Sequence, residues 1–295
     1  MQEEMIDAFT RIKRKNISTC EVEGFTSESQ FIGKLVDLLI EAGSFLITAS
    51  SVYPSGKNGW SRNEAVIGGS LVRLYKLIES ILDQTCKHRL EVAFILSRLH
   101  FETSVNILYL MQRPSHENFE SYVQYSLQYE NELLKTIEAN IQSRGGESQP
   151  IEDRMIISIQ RAFDTAQVDR SNLPVKRIRD WGNKNFKEKT RLVGLEDAYL
   201  GVFKNSSLVV HGNWSDLYQH HLKREDGRFF AKHSFKFPRP QYLEVNALMT
   251  VKVVSEFIDF LGMFQERIAL RSIFTDFEDR LSTLTQLHES FIQRE

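Results

Sequence analysis

The sequence predicts an all-α protein, a single bundle-like domain of about eight helices with at most one small β-hairpin near 217–237. Three observations carry that expectation. Apolar residues recur at spacings of three and four through most of the chain, and 6 Pro and 15 Gly in 295 residues leave long runs without helix breakers. With 41% hydrophobic residues, the chain can bury a core without disulfide or metal staples.

The elements follow in order. Residues 1–60 read as N-terminal helices and a loop, and 61–295 as the core, all within one domain. Ser27-Glu-Ser-Gln30 and Ser61-Arg-Asn-Glu64 match the capping box, which places helix starts near residues 28 and 62. Tyr53-Pro-Ser-Gly-Lys-Asn-Gly59 stacks turn formers and reads as a loop. From Lys87 to Gln112 the chain is apolar on almost every side, as a central helix would be, and Pro114 and Ser115 end it. A second helix from about Asn118 to Gln142 is followed by a Gly145-Gly146 linker. Further helices are expected near 151–166, 175–190 and 195–209. A hairpin turning on Asp226-Gly227 fits the alternation of Phe229, Ala231, His233, Phe235 and Phe237. After Pro238 and Pro240, apolar positions from Leu248 through Leu261 and Phe264 to Ile268 trace one long amphipathic helix, and a third capping box, Thr275-Asp-Phe-Glu278, predicts the start of a terminal helix.

Charge is more informative by segment than in total. The net charge is −2, yet Lys176–Arg239 holds 14 Lys/Arg against 7 Asp/Glu, a local +7 set against −9 elsewhere. Within it, Lys184, Lys187, Lys189 and Arg191 form a run suited to phosphate contact, with Trp181, Trp214, Phe229 and Phe230 available for base stacking. The alternative reading is a solvated face balanced by acidic neighbours. No secretory signal opens the chain, no apolar run reaches the ~20 residues that span a bilayer, and Cys20 and Cys86 read as reduced thiols. The expected setting is cytoplasmic, with no membrane partner, cofactor or metal.

Two constellations could carry chemistry. Lys204-Asn205-Ser-Ser-Leu-Val-Val-His211-Gly-Asn-Trp214 supplies an imidazole that could deprotonate a ribose hydroxyl, beside a cation and an amide that could stabilise a phosphorane. Equally, a His in the last turn before Gly212 could simply end a helix. On the central helix, Arg98, Glu102, Asn106, Tyr109 and Arg113 share one face, either as the wall of a polar pocket or as an internal ion-pair network. Tyr122, Tyr125 and Tyr129 form a stripe that could stack bases or pair helices. Adjacent His220 and His221 diverge and lack metal-pair spacing. P-loop, GxGxxG, GxSxG and HExxH patterns are absent, against the enzyme classes that carry them.

The segment Ile95-Leu-Ser-Arg-Leu-His-Phe-Glu-Thr-Ser-Val-Asn-Ile-Leu-Tyr-Leu110, with the later Asn205-Ser-Ser-Leu-Val-Val-His-Gly-Asn-Trp214, resembles bacterial all-helical proteins grouped as a domain of unknown function. The likeness spans about 65–265 and is distantly similar to the HEPN helical nucleases and nucleotide-binding domains of bacterial defence systems. In that resemblance His211 matches the nuclease histidine, while the upstream arginine is replaced by Asn205 or Lys204. Arg98 is the candidate replacement cation if the central helix packs against the helix ending at His211.

Three functions are therefore expected in turn. The first is an interaction or regulatory component of a bacterial stress or phage-defence system, with a protein partner or homodimer. The second is a metal-independent ribonuclease using His211 as base with Lys204, Asn205, Arg98 or Glu102. The third is RNA binding without cleavage through the basic 176–239 sector.

Overall fold

The structure, a computed structural model, describes residues 2–51, 59–174 and 176–294, apart from the side chains of Gln2, Glu3, Asn205, Ser206 and Leu208. It is all-α with one two-stranded antiparallel sheet. Of the loop expected at 53–59, only Gly59 lies within the described residues. Where the sequence offered no boundary, the residues group into two compact units, 1–112 with 190–295 and 113–189.

The first unit is organised by four long helices, α3 (Glu28–Ser50), α4 (Arg62–Cys86), α5 (Leu90–Gln112) and α12 (Pro240–Phe260), preceded by the short α1 (Gln2–Thr10) and α2 (Thr19–Glu23). Each long helix packs on two of the others, α3 on α4, α4 on α5, α5 on α12 and α12 on α3, which closes a bundle. On α3, Phe31, Leu35, Leu38, Leu39, Ala42, Phe45, Leu46 and Ala49 are buried at helical spacing. The Ser61 box forms, with Glu64 accepting the Ser61 amide at 2.8 Å. The Ser27 box does not: Gln30 accepts from the Thr26 amide instead, one residue early, although α3 still starts at Glu28. Gly68 is required by packing, since a Cβ there would stand 2.5 Å from the Trp60 ring.

α5 is buried on nearly every side, as expected of a central helix. Its seam with α12 is polar: Asn246 donates to Ser97 Oγ at 2.8 Å, and His100 Nε2 lies 3.2 Å from Thr250 Oγ1. His100 is fully buried, and desolvation lowers its pKa to about 3, so it stays neutral.

The C-terminal half corrects one expectation. α12 ends at Phe260 with Leu261 as its C-cap, and α13 runs unbroken from Phe264 to Ile292, so Thr275 lies inside a helix. The break falls at Gly262, whose φ is +73°. Its amide donates to Asp259 O and that of Met263 to Ile258 O, the paired bonds of a Schellman stop. Apolar periodicity runs straight across this turn, which is why the sequence read as one helix. α13 packs on α12, α3, α2 and α1. Its Arg280 forms a bidentate pair with Glu41 at 2.7 and 2.8 Å and also donates to Lys15 O.

The second unit is a helical hairpin, α6 (His116–Ser143) and α7 (Pro150–Ala166), turned at Gly145 and Gly146 with φ of +75° and +93°. The helix expected at 175–190 is not formed over most of that range. The described chain between Leu173 and Asn185 holds one 3-10 turn at Trp181–Asn183 and is otherwise irregular, and a helix, α8, begins only at Phe186 and ends at Leu192. The reason lies in its amides: Ile178 N–H bonds Gln128 and Gly182 N–H donates to Ser121 at 2.8 Å, so both are taken by α6 side chains. Gly182 and Asn183 also adopt φ of +65° and +53°, which stops a right-handed helix.

Between the units' boundary and α12, the chain forms short pieces: α9 (Glu196–Ala198), a π-helical stretch Tyr199–Lys204, α10 (Asn205–Val210), α11 (Trp214–Asp216), a second π-helical stretch Leu217–His221, and the hairpin β1 (Leu222–Glu225) and β2 (Arg228–Ala231). The hairpin pairs Arg224 with Phe229 and Lys223 with Phe230. Asp226 and Gly227 both have positive φ, +49° and +78°, as a type I′ turn requires.

Candidate functional site

The expected catalytic group divides on inspection. Arg98 Nε bonds Glu102 Oε1 at 3.2 Å, one helical turn away, and the Arg98 guanidinium stacks 4.6 Å over Phe203. α10 packs on α5, so the helix ending at His211 does meet the central helix. His211 itself is exposed at the C-cap of α10, its amide bonded to Ser207 O, with Gly212 following at φ +57°. Lys204 is exposed, and the Asn205 side chain lies outside the described residues.

The basic run is uneven. Lys187 and Arg191 are exposed and Lys184 is half-buried, but Lys189 is only 3% exposed. Its ammonium lies 3.2 Å from the centroid of the Trp181 ring, and burial lowers its pKa to about 7 against a weaker pull from Asp180. Lys189 is therefore a packing residue of the second unit. In the same unit Tyr122 meets Trp181 edge-on, whereas Tyr125 and Tyr129 are exposed beside a groove lined by Arg177 and Arg179.

A cluster of exposed aromatic residues lies in the first unit, over residues 214–237. Trp214 is 61% exposed, stacks with Tyr218 and meets Phe229 edge-on. Arg224 reaches over Phe229 at 5.9 Å, and Lys223 over Phe230 at 5.8 Å. Seven of the eight strand residues of the hairpin are exposed, so both of its faces are open. A two-stranded ribbon of this size gains little stability by itself, and its aromatics are not spent on the core. Farther along, Phe235 and Phe237 are also exposed, against Arg89 and His88.

Beneath this surface the structure brings together residues that sequence reasoning had not joined. A cavity of about 150 Å³ is lined by Glu91 of α5, Ser215 and Asp216 of α11, Gln219 and His220 of the second π-helical stretch, and Lys236 and Arg239. Glu91 Oε1 accepts from the Lys236 amide at 3.3 Å and lies 3.3 Å from His220 Nδ1. Asp216 Oδ2 lies 3.3 Å from His221 Nε2. Burial, then the Lys236 charge, hold the His220 imidazole below its ordinary pKa, against Glu91 and Asp216. Burial and the charges of Lys232 and Arg239 likewise lower Lys236. Glu91 Oε2 and Asp216 Oδ1 are buried without a hydrogen-bond partner.

A second cavity, about 420 Å³ and mainly apolar, shares Phe94 and Arg239 with the first. It is lined also by Gly201, Val202, Tyr242 and Val245, and by Gln241, whose buried Oε1 lacks a partner. Neither cavity is lined by His211, Arg98 or Glu102. Adjacency in sequence had argued against His220 and His221 as a pair. Their relevant partners, Glu91 and Asp216, lie far away and close by respectively, and no local pattern announces either contact.

Among the described residues, no group of three or more His, Cys, Asp or Glu is placed to hold a metal ion, and no helix is long and apolar enough to cross a membrane. No curated protein and no solved structure matches the chain. A model of a family of unknown function matches residues 64–229, from α4 through the second unit to the hairpin, and so includes Glu91, Asp216 and His220. The chain belongs to that family of unknown function, DUF5677.

Proposed function

We propose that the protein binds single-stranded RNA through the aromatic and basic surface of residues 214–239, without needing to cleave it. The observation that carries this reading is the exposed cluster of Trp214, Tyr218 and Phe229 with Arg224 over the outer ring. Flat rings accept any base by stacking, and Lys223, Arg224 and Arg228 supply phosphate contacts on the same ribbon. Six Lys/Arg stand against three Asp/Glu between Trp214 and Arg239, so the local field favours a polyanion although the chain is nearly neutral. The resemblance to HEPN-like bacterial proteins agrees with a cytoplasmic role in a stress or phage-defence response, in which RNA binding would be the regulatory event.

Fluorescence anisotropy of a labelled single-stranded RNA tests this. Binding is expected to weaken steeply with salt, and neutralising Lys223 and Arg224 together should reduce the log–log salt slope by about two. Absence of binding at low salt, or a slope untouched by those changes, sinks the reading.

A second reading, cleavage with His211 as base, draws support from the packing of α10 on α5, the helix that carries Arg98. RNA hydrolysed in EDTA, and spared by His211→Ala, would support it. RNA left intact by the native protein would remove it.

A further inference from the structure

The two cavities beside α5 present an unusual charge balance. Glu91 and Asp216 are each less than a tenth exposed, and each has one buried oxygen without a partner. Lys236 and Arg239 line the same cavity, and among the described residues neither forms an ion pair, although the Glu91 charge acts on Lys236. Two carboxylates, each with one oxygen beside a histidine and the other without a partner, and two unpaired cations thus line one small space. Buried polar groups left this way cost free energy unless something completes them.

The missing group can be specified by what would satisfy all four. An anion would serve the cations and leave the carboxylate oxygens unpaired. A simple amine would do the reverse. A ligand carrying both an ammonium and a carboxylate serves both pairs, and the adjoining apolar cavity of about 420 Å³ falls within the range of about 300–1,000 Å³ typical of small-molecule sites.

We propose that this pair of cavities binds a free apolar or aromatic α-amino acid. Its ammonium donates to Glu91 Oε2 and Asp216 Oδ1, its carboxylate faces Arg239 and Lys236, and its side chain enters the cavity formed by Phe94, Val202, Tyr242 and Val245. Arg239 and Phe94 belong to both cavities, so the two halves of one small molecule can meet there. The site shares Lys236 and Arg239 with the basic segment of the RNA reading, but none of the stacking residues Trp214, Phe229 or Phe230 lines either cavity, so failure of one binding mode is distinguishable from failure of the other.

Calorimetry with L-leucine, L-phenylalanine and L-tryptophan against the full chain tests the site. At least one should bind, while N-acetyl-L-phenylalanine and L-phenylalaninamide should bind about tenfold more weakly or worse than L-phenylalanine, each having lost one charged hydrogen-bonding group. Glu91→Gln and Asp216→Asn should weaken binding similarly. If either fails to fold, Gly201→Leu provides the decisive variant: a Cβ at Gly201 meets open space, so the side chain can occupy the apolar cavity without touching the polar groups. That variant should lose binding while keeping its melting temperature. The proposal is overturned if no free amino acid binds at millimolar concentration, if the acetylated form binds equally well, or if Gly201→Leu binds as the native protein does.

Discussion

The bundle of α3, α4, α5 and α12 and the segment from Glu196 to Arg239 belong to the same unit but use their residues differently. In the bundle, aromatic and aliphatic side chains are buried, and its interior polar groups face one another, as Asn246 does Ser97 and His100 does Thr250. In the segment, helices are short or π-wound, Trp214, Tyr218, Phe229 and Phe230 are exposed, and the buried Asp216 Oδ1 has no hydrogen-bond partner. The bundle spends its apolar side chains on itself, and its unpartnered polar atoms include Glu91 Oε2 and Gln241 Oε1, which line the cavities it shares with the segment. The segment has kept its exposed aromatics for something else, which is where binding is expected.

The sharpest way to break this contrast is to unpair a group on the bundle side. Arg280→Ala would leave Glu41 buried beside Asp276 with its bidentate partner gone, and about 3–5 kcal/mol of unfolding free energy should be lost. Urea unfolding measures it. A loss under about 1 kcal/mol would mean that water reaches Glu41 and that this region is looser than its contacts imply.

His100 provides the pH counterpart. Its pKa falls from 6.5 to about 3 on folding, so between those values the unfolded chain binds the extra proton. The neutral form's contribution is complete above pH 6.5 and declines as pH falls toward 3, by up to about 5 kcal/mol. His100→Gln should flatten that part of the stability profile relative to the native protein. Parallel profiles for the two proteins would show that His100 is not held neutral.

These features differ in how far the sequence reveals them. Helix starts at Glu28 and Arg62, the central helix ending at Gln112, and the hairpin turning on Asp226-Gly227 are local signals, and local chemistry decided them. The break at Gly262 escaped because apolar spacing continues through a three-residue stop. The irregular chain before Phe186 escaped because its amides bond side chains about 50 to 60 residues away. Lys189 looked like one more surface cation, and only the Trp181 ring against it shows otherwise. The cavity of Glu91, Asp216 and Lys236 gathers residues up to 145 positions apart, a separation no motif spans.

On the segment side, Phe229→Ala should weaken RNA binding by about 1–3 kcal/mol, the range for one base–aromatic stack, with the salt slope unchanged because no charge is removed. Thermal unfolding should barely move, since Phe229 is nearly half exposed. Lys189→Met sharpens the same distinction: a buried ammonium makes no phosphate contact, so affinity should stay within about twofold of native. A large loss with Lys189→Met would place RNA on the second unit instead.

The smallest expected effect tests whether the hairpin acts as a preformed surface. Gly227 holds φ at +78°, where an added Cβ costs about 1 kcal/mol, while Asp226 at +49° is a residue that tolerates this region. Gly227→Ala should therefore loosen the ribbon and separate Phe229 from Trp214 without disturbing the bundle, whose contacts lie elsewhere. RNA affinity should fall a few-fold while the melting temperature stays constant. Asp226→Asn, which keeps a good type I′ turn residue, should leave both unchanged. If Gly227→Ala lowered the melting temperature as much as Arg280→Ala does, the hairpin would be part of the folding core, and the division between an inward-packed bundle and a segment with outward-facing aromatics would have to be given up.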